Sequence, residues 1–112
     1  MSYESALNGL DAALKRMGEV VTIRRPGSAP IDVQTLARVE GVSAQFLRTG
    51  SSSQQGNFRA IFSPTDLIAA GFPMPLRATD KIVRGGVERQ ITFVHAIPYG
   101  TSIVRVEIDF IG

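Results

Sequence analysis

A chain of 112 residues fits one domain, 1–112, and a composition of 44% hydrophobic and 20% charged residues belongs to a folded globule, not a disordered segment. It contains no cysteine, which excludes a disulfide scaffold, a thiolate metal site and a cysteine nucleophile. The net charge of +2 is too mild to carry nucleic-acid binding alone, and no apolar run approaches the roughly 20 residues that span a bilayer.

The opening Met1-Ser2-Tyr3-Glu4 lacks the basic-then-apolar pattern of a secretory signal, so residence in the cytosol, or in a particle built there, is expected. Tyr3, Leu7, Leu10, Leu14 and Met17 then recur at spacings of four, three, four and three, one stripe of a helix over 2–17 widened by Ala6 and Ala13. Ser2 can cap its start, Glu4 favours the first turn, and Lys15 and Arg16 favour the last. Gly18 is expected as the residue just past the end, and Gly9 weakens the interior by about 1 kcal/mol relative to alanine. Such a helix needs a cover for its single apolar side, either the core of its own domain or a neighbouring subunit.

From Glu19 the period becomes two. Glu19–Arg25 reads as a strand with Val21 and Ile23 on one face, followed by a loop at Pro26-Gly27-Ser28-Ala29-Pro30. A second strand is expected over 33–42, apolar on both sides because Leu36, Ala37 and Val39 do not share a face. Residues 43–57 read as the least structured stretch, with almost no apolar content over Thr49–Asn57, and are expected as a long, exposed, mobile loop. A strand returns at 58–63 with Phe58, Ala60 and Phe62 aligned. Ser63 and Pro64 are expected as cap and first residue of a short helix ending at Gly71, and Phe72-Pro73-Met74-Pro75-Leu76 as an extended, proline-stiffened segment.

The last third reads as a meander: Lys81–Arg84, a tight Gly85-Gly86 turn, a strand over 87–97, a turn at Pro98-Tyr99-Gly100-Thr101 and a strand over Ser102–Ile111. Pairing Ile97 with Ser102 places Phe93 opposite Val106, Ile91 opposite Ile108 and His95 opposite Val104. One face would then carry Ile91, Phe93, Val104, Val106, Ile108 and Phe110, the other Thr92, Arg105 and Glu107. The first hairpin aligns less neatly, leaving room for a bulge there. The expected fold is therefore α+β: an N-terminal amphipathic helix, then a small antiparallel β-barrel or sandwich over 19–111 with a long polar loop.

No catalytic constellation emerges. His95 is the lone histidine and falls among apolar partners. Asp66 and Asp80 follow threonines and read as turn or cap residues. Gly85-Gly86 lacks the Lys-Ser/Thr of a phosphate loop, and the serines at 51–53 have no visible base. The expectation is a non-enzyme without cofactor or metal. Of 12 basic residues only Lys15 and Lys81 are lysine, leaving ten arginines. Arginine suits phosphate and carboxylate contacts, although an arginine-biased genome accounts for it as readily. With 7% aromatics and no tryptophan, base-stacking recognition is disfavoured.

The order of Val20-Val21-Thr22-Ile23-Arg24, a polar loop, Phe62-Ser63-Pro64-Thr65-Asp66-Leu67, Thr79-Asp80-Lys81-Ile82-Val83-Arg84-Gly85-Gly86 and Gln90-Ile91-Thr92-Phe93-Val94 resembles the small head–tail joining and head-closure (stopper) proteins of long-tailed phages, the lambda-type joining proteins among them. The resemblance implies a structural virion protein. Such subunits form a ring, commonly of six, between a portal or adaptor and a tail terminator or tail tube, around packaged DNA. It places Arg48, Gln54, Gln55, Asn57 and Arg59 at a non-specific DNA channel, and Leu7, Leu10, Leu14, Phe110 and Ile111 at subunit or partner contacts. The alternatives are a free-standing nucleic-acid-binding barrel or another tail-completion subunit.

Overall fold

The computed structural model describes residues 2–41 and 57–111. Helix α1 (Tyr3–Met17) leads into β1 (Glu19–Arg25), β2 (Ile31–Gly41) and β3 (Asn57–Phe62). A five-residue helix, α2 (Thr65–Ala69), precedes β4 (Lys81–Arg84), β5 (Val87–Tyr99) and β6 (Ser102–Ile111). The six strands close into an antiparallel barrel in the order β1-β2-β3-β6-β5-β4, with seven residue pairs joining β1 to β2 and three joining β1 to β4. The expected helix-plus-barrel architecture is the one observed. The expected loop at 43–57 lies outside the described residues except for Asn57, which opens β3, as does Val42 at the end of the expected second strand.

The helix forms as its stripe and caps dictate. Ser2 holds an extended conformation and its Oγ accepts from the Ser5 N–H at 3.1 Å. Its C-terminus departs from expectation. Gly18 is extended (φ −87°, ψ 164°), not left-handed. Glycine is needed there for space: a Cβ would sit 2.7 Å from the Leu14 carbonyl oxygen and 3.3 Å from both the Ala37 oxygen and the Leu36 Cβ.

Alternation then builds the barrel. Val21 and Ile23 from β1, Val33, Thr35 and Ala37 from β2, and Ala60 and Phe62 from β3 are all buried. Ala37 and Val39 do share the inward face of β2; Leu36 lies on the outer side, beneath α1, which is why that strand looks apolar on both sides. At the end where β1 finishes and β4 begins, Leu67, Phe72 and Leu76 complete the core. Pro64, expected as the first helical residue, takes the cap position of α2 with helical dihedrals. Ser63 acts one residue upstream, its Oγ accepting from the Thr65 N–H at 3.1 Å. Gly71 ends the turn at φ +75°, a conformation an L side chain resists. At the opposite end the Phe58 and Phe110 rings stack at 5.6 Å, and the Arg84 guanidinium covers Phe58 at 5.4 Å.

The two C-terminal hairpins reverse the sequence reading. The β4–β5 hairpin is regular: Arg84 pairs with Val87 across Gly85 (φ +60°) and Gly86 (φ +79°), a two-residue turn with both residues left-handed. The irregularities lie in β5–β6. Its turn is the two residues Gly100 and Thr101, so Tyr99 pairs with Ser102, not Ile97. Register shifts between Ile97 and Pro98 and between Ile91 and Phe93 then set His95 opposite Glu107, Phe93 opposite Asp109 and Ile91 opposite Phe110. Proline has no N–H to give the ladder and sits at such an irregularity. The second shift inverts the face. Val94 and Ala96 pair with core residues Ile108 and Val106, and Phe93 is 56% exposed. Of the expected apolar face, Ile91, Val106, Ile108 and Phe110 are core, Val104 is half-buried and Phe93 is outside.

Candidate interaction surface around the N-terminal helix

The titratable groups of the barrel are engaged mainly with one another. Arg24 binds Asp32 through Nε and Nη2 at 2.8 and 2.9 Å and reaches Glu88 at 3.0 Å. The paired guanidinium holds the Asp32 carboxyl below the usual aspartate range. Arg84 binds Glu19 at 2.9 and 3.2 Å, and Arg105 meets Glu107 at 2.8 Å. The most buried pair is Arg25–Asp80. Asp80 is fully buried and takes Nε and Nη2 of Arg25, both at 2.9 Å, and the Arg77 N–H at 2.8 Å. Arg25 also donates to the Pro75 carbonyl at 3.1 Å and lies 4.9 Å over the Phe72 ring. Hydrogen bonding to Asp80 raises the Arg25 pKa against the opposing effect of burial. Among the described residues, five arginines are thus paired with carboxylates of the same chain.

Arg59, expected at a DNA-facing loop, is one of them. It lies within β3 and binds Asp109 at 2.8 and 3.3 Å, which raises its pKa. Asn57 is exposed at the start of the same strand. Arg48, Gln54 and Gln55 lie outside the described residues. His95, expected among apolar partners, is exposed on the outer face of β5, edge-on to Phe93 at 6.3 Å between ring centroids. Asp66 accepts the Thr35 hydroxyl at 2.9 Å. Among the described residues, no group of three or more His, Asp or Glu side chains could hold a metal ion, and no helix is long and apolar enough to cross a membrane.

The expected contact residues separate into two sets. Leu14 (5% exposed) and Phe110 (1%) are buried in the core of the chain itself: Leu14 is the member of the helical stripe centred on the barrel, and Phe110 points inward against Phe58. Leu7 and Leu10 are half-buried, Met17 is 58% exposed, and Ile111 keeps an exposed side chain at the end of β6. One turn of α1 is therefore anchored while the rest of its stripe is only partly covered.

Cavities on both flanks of Leu14 express the same incomplete fit. One, about 250 Å3, mixes Leu14 and Leu36 with the polar side chains of Asp11, Lys15, Thr35, Ser63 and Asp66. There Thr65 donates to Asp11 at 2.9 Å and shares a 2.8 Å hydroxyl contact with Ser63, tying α1 to the start of α2. The other, about 120 Å3, runs between Leu10, Ala13 and Met17 of α1 and Arg38, Ile61 and Arg105 of β2, β3 and β6. The far end of the helix is held by the Tyr3 hydroxyl donating to the Ile103 carbonyl at 2.9 Å. The Asp11–Thr65 and Arg25–Asp80 contacts join residues 54 and 55 positions apart, which no local motif reveals. Thr79-Asp80 marked only the turn role of Asp80, which its bond to the Arg77 N–H fulfils. No family model matches the chain, and no curated protein matches it.

Proposed function

We propose that this chain is a structural subunit of a phage head–tail connector, assembling with copies of itself into a ring between the portal or adaptor and the tail, around the DNA channel. It acts by fitting surfaces together and not by catalysis. The observation that carries this reading is the half-covered helix. Leu14 is buried, whereas Leu7, Leu10 and Met17 keep apolar surface outside the barrel. A small domain gains by removing such surface from water, at about 25 cal/mol per Å2, when a neighbour arrives. The arginine economy supports the same reading. Among the described residues five guanidiniums are already paired with carboxylates of the same chain, so they form no strong phosphate-binding array, in keeping with loose proximity to DNA and not tight binding.

The test is whether the protein travels with particles. Virions purified on a density gradient are expected to contain it at a fixed, low copy number, and native mass spectrometry of the protein mixed with virion components is expected to show a ring. Absence from virions, together with a monomer in every mixture, would remove the proposal. Tight, salt-sensitive DNA binding by the isolated monomer in a filter-binding titration would favour a nucleic-acid-binding barrel instead.

A further inference from the structure

We infer that the slot between α1 and the outer face of β2, β3 and β6 is a docking site for another protein, taking one aliphatic side chain that stands beside a carboxylate. The walls supply the apolar half of this recognition: Leu10, Ala13 and Met17 on the helix, Ile61 on the sheet. Its volume of about 120 Å3 corresponds to some four water-sized groups at roughly 30 Å3 each, the size of a four-carbon branched side chain. Two arginines on the sheet side supply the charged half. Arg38 is exposed and has no acidic partner among the described residues. Arg105 spends one nitrogen on Glu107, while its buried Nε–H finds no acceptor. A guanidinium with an idle donor gains by turning that edge toward an arriving carboxylate, and the planar fork suits such a two-point contact. An apolar slot faced by two under-used cations therefore selects an acidic, aliphatic segment.

A second copy of this chain is a poor occupant. Among the described residues, the exposed aliphatic side chains stand beside carboxylates that are already held: Val20 beside Glu19, which binds Arg84; Val87 beside Glu88, which binds Arg24; Ile111 on the strand with Asp109, which binds Arg59. Ile68 and Asp66 are two residues apart on α2, about 200° around the helix, and Asp66 is engaged by Thr35. The occupant accordingly comes from a different protein. The slot does not depend on the connector reading: saturable binding at the slot, with this chain absent from virions, would keep the slot and remove the connector.

N-acetyl-leucine carries an isobutyl side chain and a carboxylate in one molecule and serves as the probe, with N-acetyl-leucinamide as its uncharged counterpart. Titrated into the full chain and followed by NMR, the acid is expected to shift the Arg105 Nε–H and the Met17 and Ile61 methyl signals saturably. The amide is expected to bind at least tenfold more weakly. Arg38→Ala should weaken the acid several-fold, and Ala13→Leu, which fills the slot, should abolish the shifts while the remaining spectrum stays native. Should Ala13→Leu disturb the fold, Arg38→Ala, on an exposed side chain, still decides the point. Absence of saturable shifts, equal affinity for the amide, or an unaffected Arg38→Ala variant would overturn the inference. So would movement of the same signals on simple dilution without probe, which would assign the slot to a second copy.

Discussion

Replacing Asp80 with alanine probes the ion pair at the plugged end of the barrel. The carboxylate is 1% exposed and the Arg25 side chain 14% exposed, so Asp80 has no water to fall back on and Arg25 has little. Asp80→Ala removes acceptors for two guanidinium N–H groups and for the Arg77 N–H. Arg25 retains the Pro75 carbonyl and the Phe72 ring, but its charge is left uncompensated. Breaking a buried pair from one side costs about 3–5 kcal/mol, and the residual contacts argue for the lower end, about 3. In a domain of this size that lowers the melting temperature by roughly 10–20 °C. Arg25→Met with Asp80→Ala removes both charges, so the double variant should be less destabilised than the sum of the singles by about 1–3 kcal/mol. Urea denaturation followed by circular dichroism measures all four corners of the cycle. A loss under about 1 kcal/mol for Asp80→Ala, or strict additivity in the double variant, would refute the claim that this pair organises the end of the barrel.

Two glycines in and beside α1 should respond oppositely to alanine. Gly9→Ala meets nothing within 4 Å and should stabilise by up to about 1 kcal/mol, whereas Gly18→Ala crowds the Leu14 carbonyl and should cost about 1–3 kcal/mol, both read from denaturation midpoints. The β5 register is tested by Ile91→Ala and Phe93→Ser. The first should cost about 2–5 kcal/mol and the second less than about 1, because only Ile91 is in the core; the reverse order in thermal melts would restore the unbulged register. Asp32 should titrate, by carboxyl carbon NMR, below the ordinary value of about 3.9. A depressed folded-state value means stability present above the unfolded value and lost as the pH falls through the folded one. Arg24→Ala should return the midpoint toward the ordinary value, and an unmoved midpoint would detach the shift from Arg24.

Elements set by local chemistry could be read directly. The α1 stripe and cap, the Glu19–Arg25 and Lys81–Arg84 strands and the Gly85–Gly86 turn each follow from a few adjacent residues, and the structure has them. Long-range geometry could not be read the same way. A single extra residue near Thr92 inverts the β5 side chains from Phe93 to Ile97, and alternation alone offers Phe93 to the core as readily as Val94. Pro98, inside the expected turn, is the one local sign that an irregularity follows Ile97. On α1, periodicity finds the apolar stripe but not which member rests on the barrel; that depends on where Gly18 lets the helix cross β2. The arginines posed the opposite problem. Their abundance was plain, but their use in pairs such as Arg24–Glu88, 64 residues apart, depends on closure of the barrel.

That closure rests on the seam between β1 and β4, only Thr22, Ile23 and Arg24 against Lys81, Ile82 and Val83. Beyond Gln90 β5 pairs only with β6 among the described residues, so strand addition is confined to that edge as long as the β1–β4 seam stays shut. Hydrogen exchange should be fastest there among the barrel ladders, because the fewest bonds must break. If it opens, the exposed edges carry Arg24 on one side and Lys81 on the other, like charges that oppose edge-to-edge stacking of unzipped molecules. The shortest ladder of the barrel would then be both its first point of fraying and a guarded one.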